Sequence, residues 1–222
     1  MRLSRRNFMQ TLGLSGAAAA VGSAVLSPPS DAASPDDATS KVLGPGAAPI
    51  ALTVNGKATT VTVDCATTLL EALREHLGMI GSKEVCDRGA CGACSVLVDG
   101  VLVASCMMLA ADAAGARVTT VEGLSQGETL SPLQQAFIKH DALQCGYCTP
   151  GLVVACQALL ERTPKPTMEQ IRRGLSGNIC RCGTYTNIFN AVLEASGQPV
   201  PVDPSPTPVT IEATGGSNRG GG

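Results

Sequence analysis

Apolar and polar side chains alternate in two short runs, Ala51-Leu52-Thr53-Val54 and Thr60-Val61-Thr62-Val63. A period of two puts every second side chain on one face of a strand. Asn55-Gly56 lies between the runs and suits a tight hairpin turn, whose central residues take positive φ. From Thr67 to Leu77 the period lengthens, and Leu69, Leu70, Leu73 and Leu77 fall on one face of an expected helix. Strand character returns at Ser95–Val98 and Val101–Ala104, joined by Asp99-Gly100 as a second hairpin. Arg117–Val121 reads as a closing strand. After Gly123 the pattern changes to four short helices: Pro132–His140, Leu152–Arg162, Thr167–Leu175 and Thr186–Ala195. Short helices with short connections suit a compact bundle. The expected fold class is α+β, with strands first and helices after.

Cysteine spacing adds chemistry to this frame. Eight of the ten cysteines fall into two tight sets. The first, Cys86, Cys91, Cys94 and Cys106, reads C-x4-C-x2-C with a distant fourth cysteine, the plant-type [2Fe–2S] spacing. Gly89 and Gly92 allow the sharp wrap that three ligands on one loop demand. Such a wrap can aim backbone N–H groups at sulfur. A structural zinc site also uses four thiolates, but it usually pairs two short hooks, and the three-plus-one arrangement fits it poorly. Strands crossed by one helix, with ligands on a long loop, suit a β-grasp plant-type ferredoxin.

The second set is Cys145 and Cys148 as C-x2-C, then Cys180 and Cys182 as C-x-C. C-x2-C alone also fits a redox dithiol or half a zinc site. Pro150 and the apolar run Leu152–Leu160 read as a helix start. Cys148 then sits at a helix N-terminus, where the dipole favours thiolate and a cluster's negative charge. These cysteines lie on loops between the bundle helices, so the expected second site is at the end where those loops meet.

With both blocks in view, VCDRGACGACSV and QCGYCTPG…GNICRCGTY, the chain resembles the iron–sulfur subunit of the molybdenum hydroxylases, the xanthine dehydrogenase and aldehyde oxidoreductase family. The resemblance runs from about Ile50 to about Gly197. It implies two [2Fe–2S] clusters. Cys86, Cys91, Cys94 and Cys106 would hold the one distal to molybdenum, in a ferredoxin domain. Cys145, Cys148, Cys180 and Cys182 would hold the proximal one, in a four-helix-bundle domain. It implies pterin contacts from Gln144 and Cys182, although on the residues alone Gln144 also reads as a loop amide. It implies a molybdopterin-type molybdenum cofactor on a large partner subunit, an FAD-carrying medium subunit in a heterotrimer, and no catalytic residue for bond-making here. The expected function is electron transfer from molybdenum through both clusters to that FAD subunit or another acceptor, during oxidation of an aldehyde to a carboxylic acid. Alternatives are a two-subunit N-heterocycle oxidoreductase feeding a cytochrome, a free-standing ferredoxin-like carrier, and a two-zinc structural protein.

The chain's start carries an independent signal. Ser4-Arg5-Arg6-Asn7-Phe8-Met9 matches the twin-arginine export pattern, and the stretch Thr11–Leu26 is too short and weakly apolar for a membrane span. Export of folded, cofactor-loaded protein keeps ligand thiols from forming disulfides in an oxidising compartment, so the expected location is periplasmic. The expected domains are a leader over residues 1–33, a linker over 34–48, the ferredoxin domain over 49–124, the helical domain over 130–198 and a disordered tail over 199–222. The formal net charge of −2 and the absence of a basic patch exclude a nucleic-acid partner. With aromatics at 2% and no dinucleotide fingerprint, flavin and molybdenum sites are expected on other chains. Cys65 and Cys156 read as buried small apolar residues and His76 and His140 as surface or packing residues. The charged residues Lys83, Glu84, Asp87 and Arg88 around the first loop read either as a solvated charged loop or as a docking rim for an electron-acceptor subunit.

Overall fold

The computed structural model describes residues 44 and 46–201. The expected leader, nearly all of the linker and nearly all of the tail lie outside the described residues. Five strands form one mixed sheet: β1 (Ala47–Val54), β2 (Lys57–Asp64), β3 (Ser95–Val98), β4 (Val101–Ala104) and β5 (Arg117–Thr119). Their order is β2-β1-β5-β3-β4, with β1 and β5 parallel and the other pairs antiparallel. Both hairpins turn where expected. Asn55 and Gly56 have φ of 49° and 78°, and Asp99 and Gly100 have 48° and 81°, the doubly positive turn that matches strand twist. The first hairpin is longer than its alternation suggested, and β1 starts inside the segment read as linker.

The first helix is the main departure from the periodic reading. It begins at Leu69–Glu71, capped by Thr68 and Glu71 in a reciprocal capping box, and continues as a π-helix over Ala72–His76. We call the two together α1. The wider π turn shifts the side chains off a strict 3.6 period. Leu69 and Leu73 enter the sheet core with Val54, Val61, Val96 and Val118. Leu70 turns instead to Cys94 and Cys106. The four leucines therefore do not share one face: α1 links the sheet core to the first cysteine loop.

Four more helices follow: α2 (Pro132–Lys139), α3 (Thr149–Arg162), α4 (Met168–Gly174) and α5 (Tyr185–Ala195). Capping boxes start α2 at Ser131 and Gln134, and α4 at Thr167 and Gln170. Their shared core contains Leu133, Phe137, Leu152, Ile171, Ile188 and Val192. Glu194 on α5 ties down the end of α2 through Lys139, at 2.7 Å, and His140, at 2.5 Å. The Lys139 ammonium, with help from His140, holds the Glu194 carboxyl below its ordinary range. His140 is thus a packing residue, as expected.

The sheet and the bundle share a buried seam. All four residues of β3 are buried. Val96 and Val98 face the sheet core, while Leu97 meets Val154 and Ala158 of α3 on the other side. A strand covered on both faces reads as continuously apolar, which explains the run Val96-Leu97-Val98. At the junction, Asn55 binds Thr120 through both its amide oxygen and nitrogen. Glu122 accepts from the Gly81 N–H at 2.7 Å, anchoring the approach to the first cysteine loop.

Candidate functional site

The first loop wraps its cysteines against α1 and the turn after β4. Cys94 and Cys106 are buried, and Cys86 and Cys91 are half-buried. Gly89 and Gly92 both have positive φ, as the wrap requires. The Gly89 N–H donates to Cys106 Sγ at 3.3 Å. The Arg88 N–H, the Cys91 thiol and the N–H groups of Ala90 and Cys91 lower the Cys86 thiol to about 7, against a smaller effect of burial. Burial pushes Cys106 up to about 11, partly offset by Gly89. Cys106 rides on a short 3-10 turn, Ser105–Met107, secured by the Ser105 hydroxyl donating to the Cys94 carbonyl at 2.7 Å. The charged rim belongs partly to the loop itself. Lys83 Nζ binds the Ile80 carbonyl at 2.8 Å and Arg88 Nε the Cys86 carbonyl at 3.0 Å.

The second set gathers around the start of α3. Cys148 is its N-cap residue, as the Pro150 signal suggested. Burial pushes its thiol up to about 12, with hydrogen bonding and negative charge at Cys180 adding to the rise. Burial acts to raise Cys180 too, but the Thr184 hydroxyl and N–H, the Cys148 thiol and the Gly183 N–H outweigh it and bring Cys180 to about 7. Burial and the neighbouring Cys180 thus raise the Cys148 thiol although it stands at a helix N-terminus, while hydrogen bonds from Thr184 and Gly183 lower Cys180. The Thr184 hydroxyl lies 3.2 Å from Cys180 Sγ. Cys145 and Cys182 are exposed, and Gln144 is exposed beside them. Among the described residues, the Cys182 thiol is not drawn into the hydrogen-bonded group.

The two loops meet directly, which the cysteine spacing did not disclose. The Ile179 N–H, one residue before Cys180, donates to the Cys91 carbonyl at 2.9 Å. Asn178 is buried and donates through Nδ2 to the Gly92 carbonyl at 2.9 Å and to Ser95 Oγ at 3.2 Å. Gly151, on the first turn of α3, abuts the Gly92 carbonyl so closely that a Cβ there would lie 2.2 Å from its oxygen. A cavity of about 150 Å³ lies between the loops, lined by Cys91 from one set and Cys145 and Cys148 from the other. The signals available in the sequence were Gly151 inside a helix and Asn178 beside Cys180.

The donor chemistry fits two iron–sulfur clusters. Each set offers four thiols, and backbone N–H groups point at sulfur in both, the pattern that tunes cluster potential. Among the described residues, no three His, Cys, Asp or Glu side chains form a tight single-metal group. Of the leftover cysteines, Cys156 is buried as expected, whereas Cys65 is only half-buried because its thiol finds backbone carbonyls near the surface. Burial pushes the Cys156 thiol up, and the Cys65 thiol donates to the Gly44 and Gly46 carbonyls at 3.3 and 3.5 Å. Cys65→Ser is expected to leave the iron content unchanged and stability within about 0.5 kcal/mol of the parent. Metal analysis and thermal melting check this, and lost iron would place Cys65 among the ligands.

A family profile described as a 2Fe-2S iron-sulfur cluster binding domain matches residues 52–125, and one described as a [2Fe-2S] binding domain matches residues 120–193. The aldehyde oxidoreductase iron-sulfur-binding subunit PaoA of Escherichia coli O157:H7 is 42% identical over 213 residues, 89% of this chain and 90% of that one. The nicotine 6-hydroxylase small subunit of Paenarthrobacter nicotinovorans is 50% identical over 145 residues, 65% of this chain and 87% of that one. The crystal structure of quinoline 2-oxidoreductase from Pseudomonas putida 86 matches with a TM-score of 0.66 at 42% identity, covering 68% of this chain and 93% of that chain.

Proposed function

This chain belongs to the iron–sulfur subunits of the molybdenum hydroxylase family, and from that premise we propose that it carries electrons away from a molybdenum cofactor on a large partner subunit during oxidation of an aldehyde. The observation that carries this reading is the direct contact of two four-cysteine loops through the Ile179–Cys91 hydrogen bond. We assign Cys86, Cys91, Cys94 and Cys106 to one [2Fe–2S] cluster and Cys145, Cys148, Cys180 and Cys182 to the other. When bound, each cluster supplies a centre that accepts and releases one electron.

The chain's own residues hold and tune those centres. N–H groups of residues 88–91 and the Thr184 hydroxyl stabilise sulfur charge. Exposed Gln144 and Cys182 are available to a partner-held pterin. Beside them, α2 and the start of α3 frame an apolar cleft of about 310 Å³, lined by Leu130, Phe137, Ile138, Leu143 and Val153. An apolar surface next to the cysteine loops supports docking on a larger partner. Two-domain burial across β3 also disfavours a free-standing carrier, since a lone ferredoxin needs no such seam.

Aldehyde as substrate is supported by the length of the PaoA match, which extends past both cluster domains. A second reading, an N-heterocycle substrate, is supported by the higher identity to the nicotine 6-hydroxylase small subunit. An FAD subunit is the proposed acceptor, and export as a folded complex is proposed from the twin-arginine segment Ser4–Met9. Among the described residues, no helix is long and apolar enough to cross a membrane. The test is metal analysis of the native complex that copurifies with this chain, with aldehydes and N-heterocycles offered as substrates. About four irons per chain together with molybdenum is the expected result; zinc without iron would overturn the proposal.

A further inference from the structure

The geometry points to Asn178 as a positioning residue that locks the two cysteine loops together, and this rests on the electron-transfer reading above. Asn178 is buried, at 5% exposed, so its amide depends on partners within the protein. Its Nδ2 instead bridges two groups of the first loop region, the Gly92 carbonyl at 2.9 Å and Ser95 Oγ at 3.2 Å. The Ser95 hydroxyl itself donates to the Gly92 carbonyl at 2.7 Å, closing a three-membered network. The next residue, Ile179, donates its N–H to the Cys91 carbonyl, and the one after is Cys180.

Residues 178–180 thus lie against the first loop, joined to it at Cys91, Gly92 and Ser95. Asn178 has no freedom to be anything larger, because its amide already fills the space over Gly92: a Cβ there would come within 2.5 Å of Nδ2. The far side of Asn178 is also held. Its carbonyl accepts from the Tyr185 hydroxyl at 3.4 Å, and that hydroxyl accepts from the Cys180 N–H at 2.8 Å. Asn178 therefore grips the first loop with its side chain while its backbone is fixed to α5. A side chain that only filled space would not need its amide NH2 set on two acceptors, and an isolated buried amide would cost free energy without partners. Its effect is to keep the Ile179 N–H on the Cys91 carbonyl, so that one hydrogen bond joins Cys91 to the residue before Cys180.

The test compares the full chain in its native complex with Asn178→Ala and Ser95→Ala, reading two quantities. Amide hydrogen exchange at Ile179 is expected to quicken about tenfold in Asn178→Ala, and less in Ser95→Ala, while amides in the core of β5 keep their parent rates. Mutual magnetic broadening of the two reduced clusters in electron paramagnetic resonance is expected to weaken in Asn178→Ala with iron content retained. Unchanged Ile179 exchange in both variants overturns the proposal, as does quickening spread equally through β5, which marks general destabilisation. Failure of Asn178→Ala to assemble leaves Ser95→Ala to decide by the same exchange criterion. A parent chain without iron defeats the electron-transfer reading alone, because the exchange comparison needs no cluster.

Discussion

Cys148→Ser is expected to cut bound iron from about four atoms per chain to about two and to abolish turnover of the assembled complex. Only the deprotonated sulfur is a strong ligand, and a serine hydroxyl does not reach that state at ordinary pH. The position gives no alternative donor. Cys148 is the N-cap of α3 and its side chain makes no capping hydrogen bond, so its interactions are with Cys180 and Cys145. Replacing sulfur by oxygen keeps the helix start and removes the ligand. The first set stays complete, since its N–H donors come from residues 88–91. Iron analysis with optical and magnetic spectra reads the outcome. Four irons retained would remove Cys148 from the ligand set, and full turnover with two irons would take the second set out of the electron route.

Gly151→Ala is expected to destabilise the metal-free chain by about 1–3 kcal/mol, although alanine is the better helix former. In an isolated helix the exchange would stabilise by about 1 kcal/mol. The sign reverses because the new Cβ would sit 2.2 Å from the Gly92 carbonyl oxygen and 3.0 Å from Ala93 Cα. Both neighbours are backbone, so no side chain can rotate away. Either α3 moves off the first loop or the loop shifts, and each disturbs the Asn178 and Ile179 hydrogen bonds. The melting temperature should fall by several degrees, at about 2–4 °C per kcal/mol for a chain of this size. A melting temperature equal to or above the parent's would show that the loops have slack where close contact is described.

Much of this could be read along the chain because its signals are local. Asn55-Gly56 and Asp99-Gly100 fix hairpins through their own backbone preferences, and cysteine spacing describes how a loop can wrap. The α2 and α4 boundaries fall within a residue of expectation, helped by polar caps at Ser131 and Thr167. The start of α3 was legible from Pro150, which places Cys148 at its N-terminus, even though the apolar run begins only at Leu152. The π turn in α1 was invisible because it depends on where Leu70 finds a partner, beside Cys94 and Cys106. The raised Cys148 thiol could not be read from the chain for a similar reason: a helix N-terminus is a local signal, whereas burial and the nearness of Cys180 depend on the whole fold. Asn178 looked like one more polar residue in a motif until its amide was found 86 positions away on Gly92.

The seam at Leu97 bears on how such a chain can be rearranged. Leu97 is 4% exposed only because Val154 and Ala158 cover it. Cutting the chain between sheet and bundle would turn that leucine outward and create a sticky stripe on the outer face of β3. The two halves are therefore not interchangeable cassettes. A graft of another ferredoxin onto this bundle would need an apolar residue at the Leu97 position and small ones facing it, or recombination would trade a buried joint for an aggregation site.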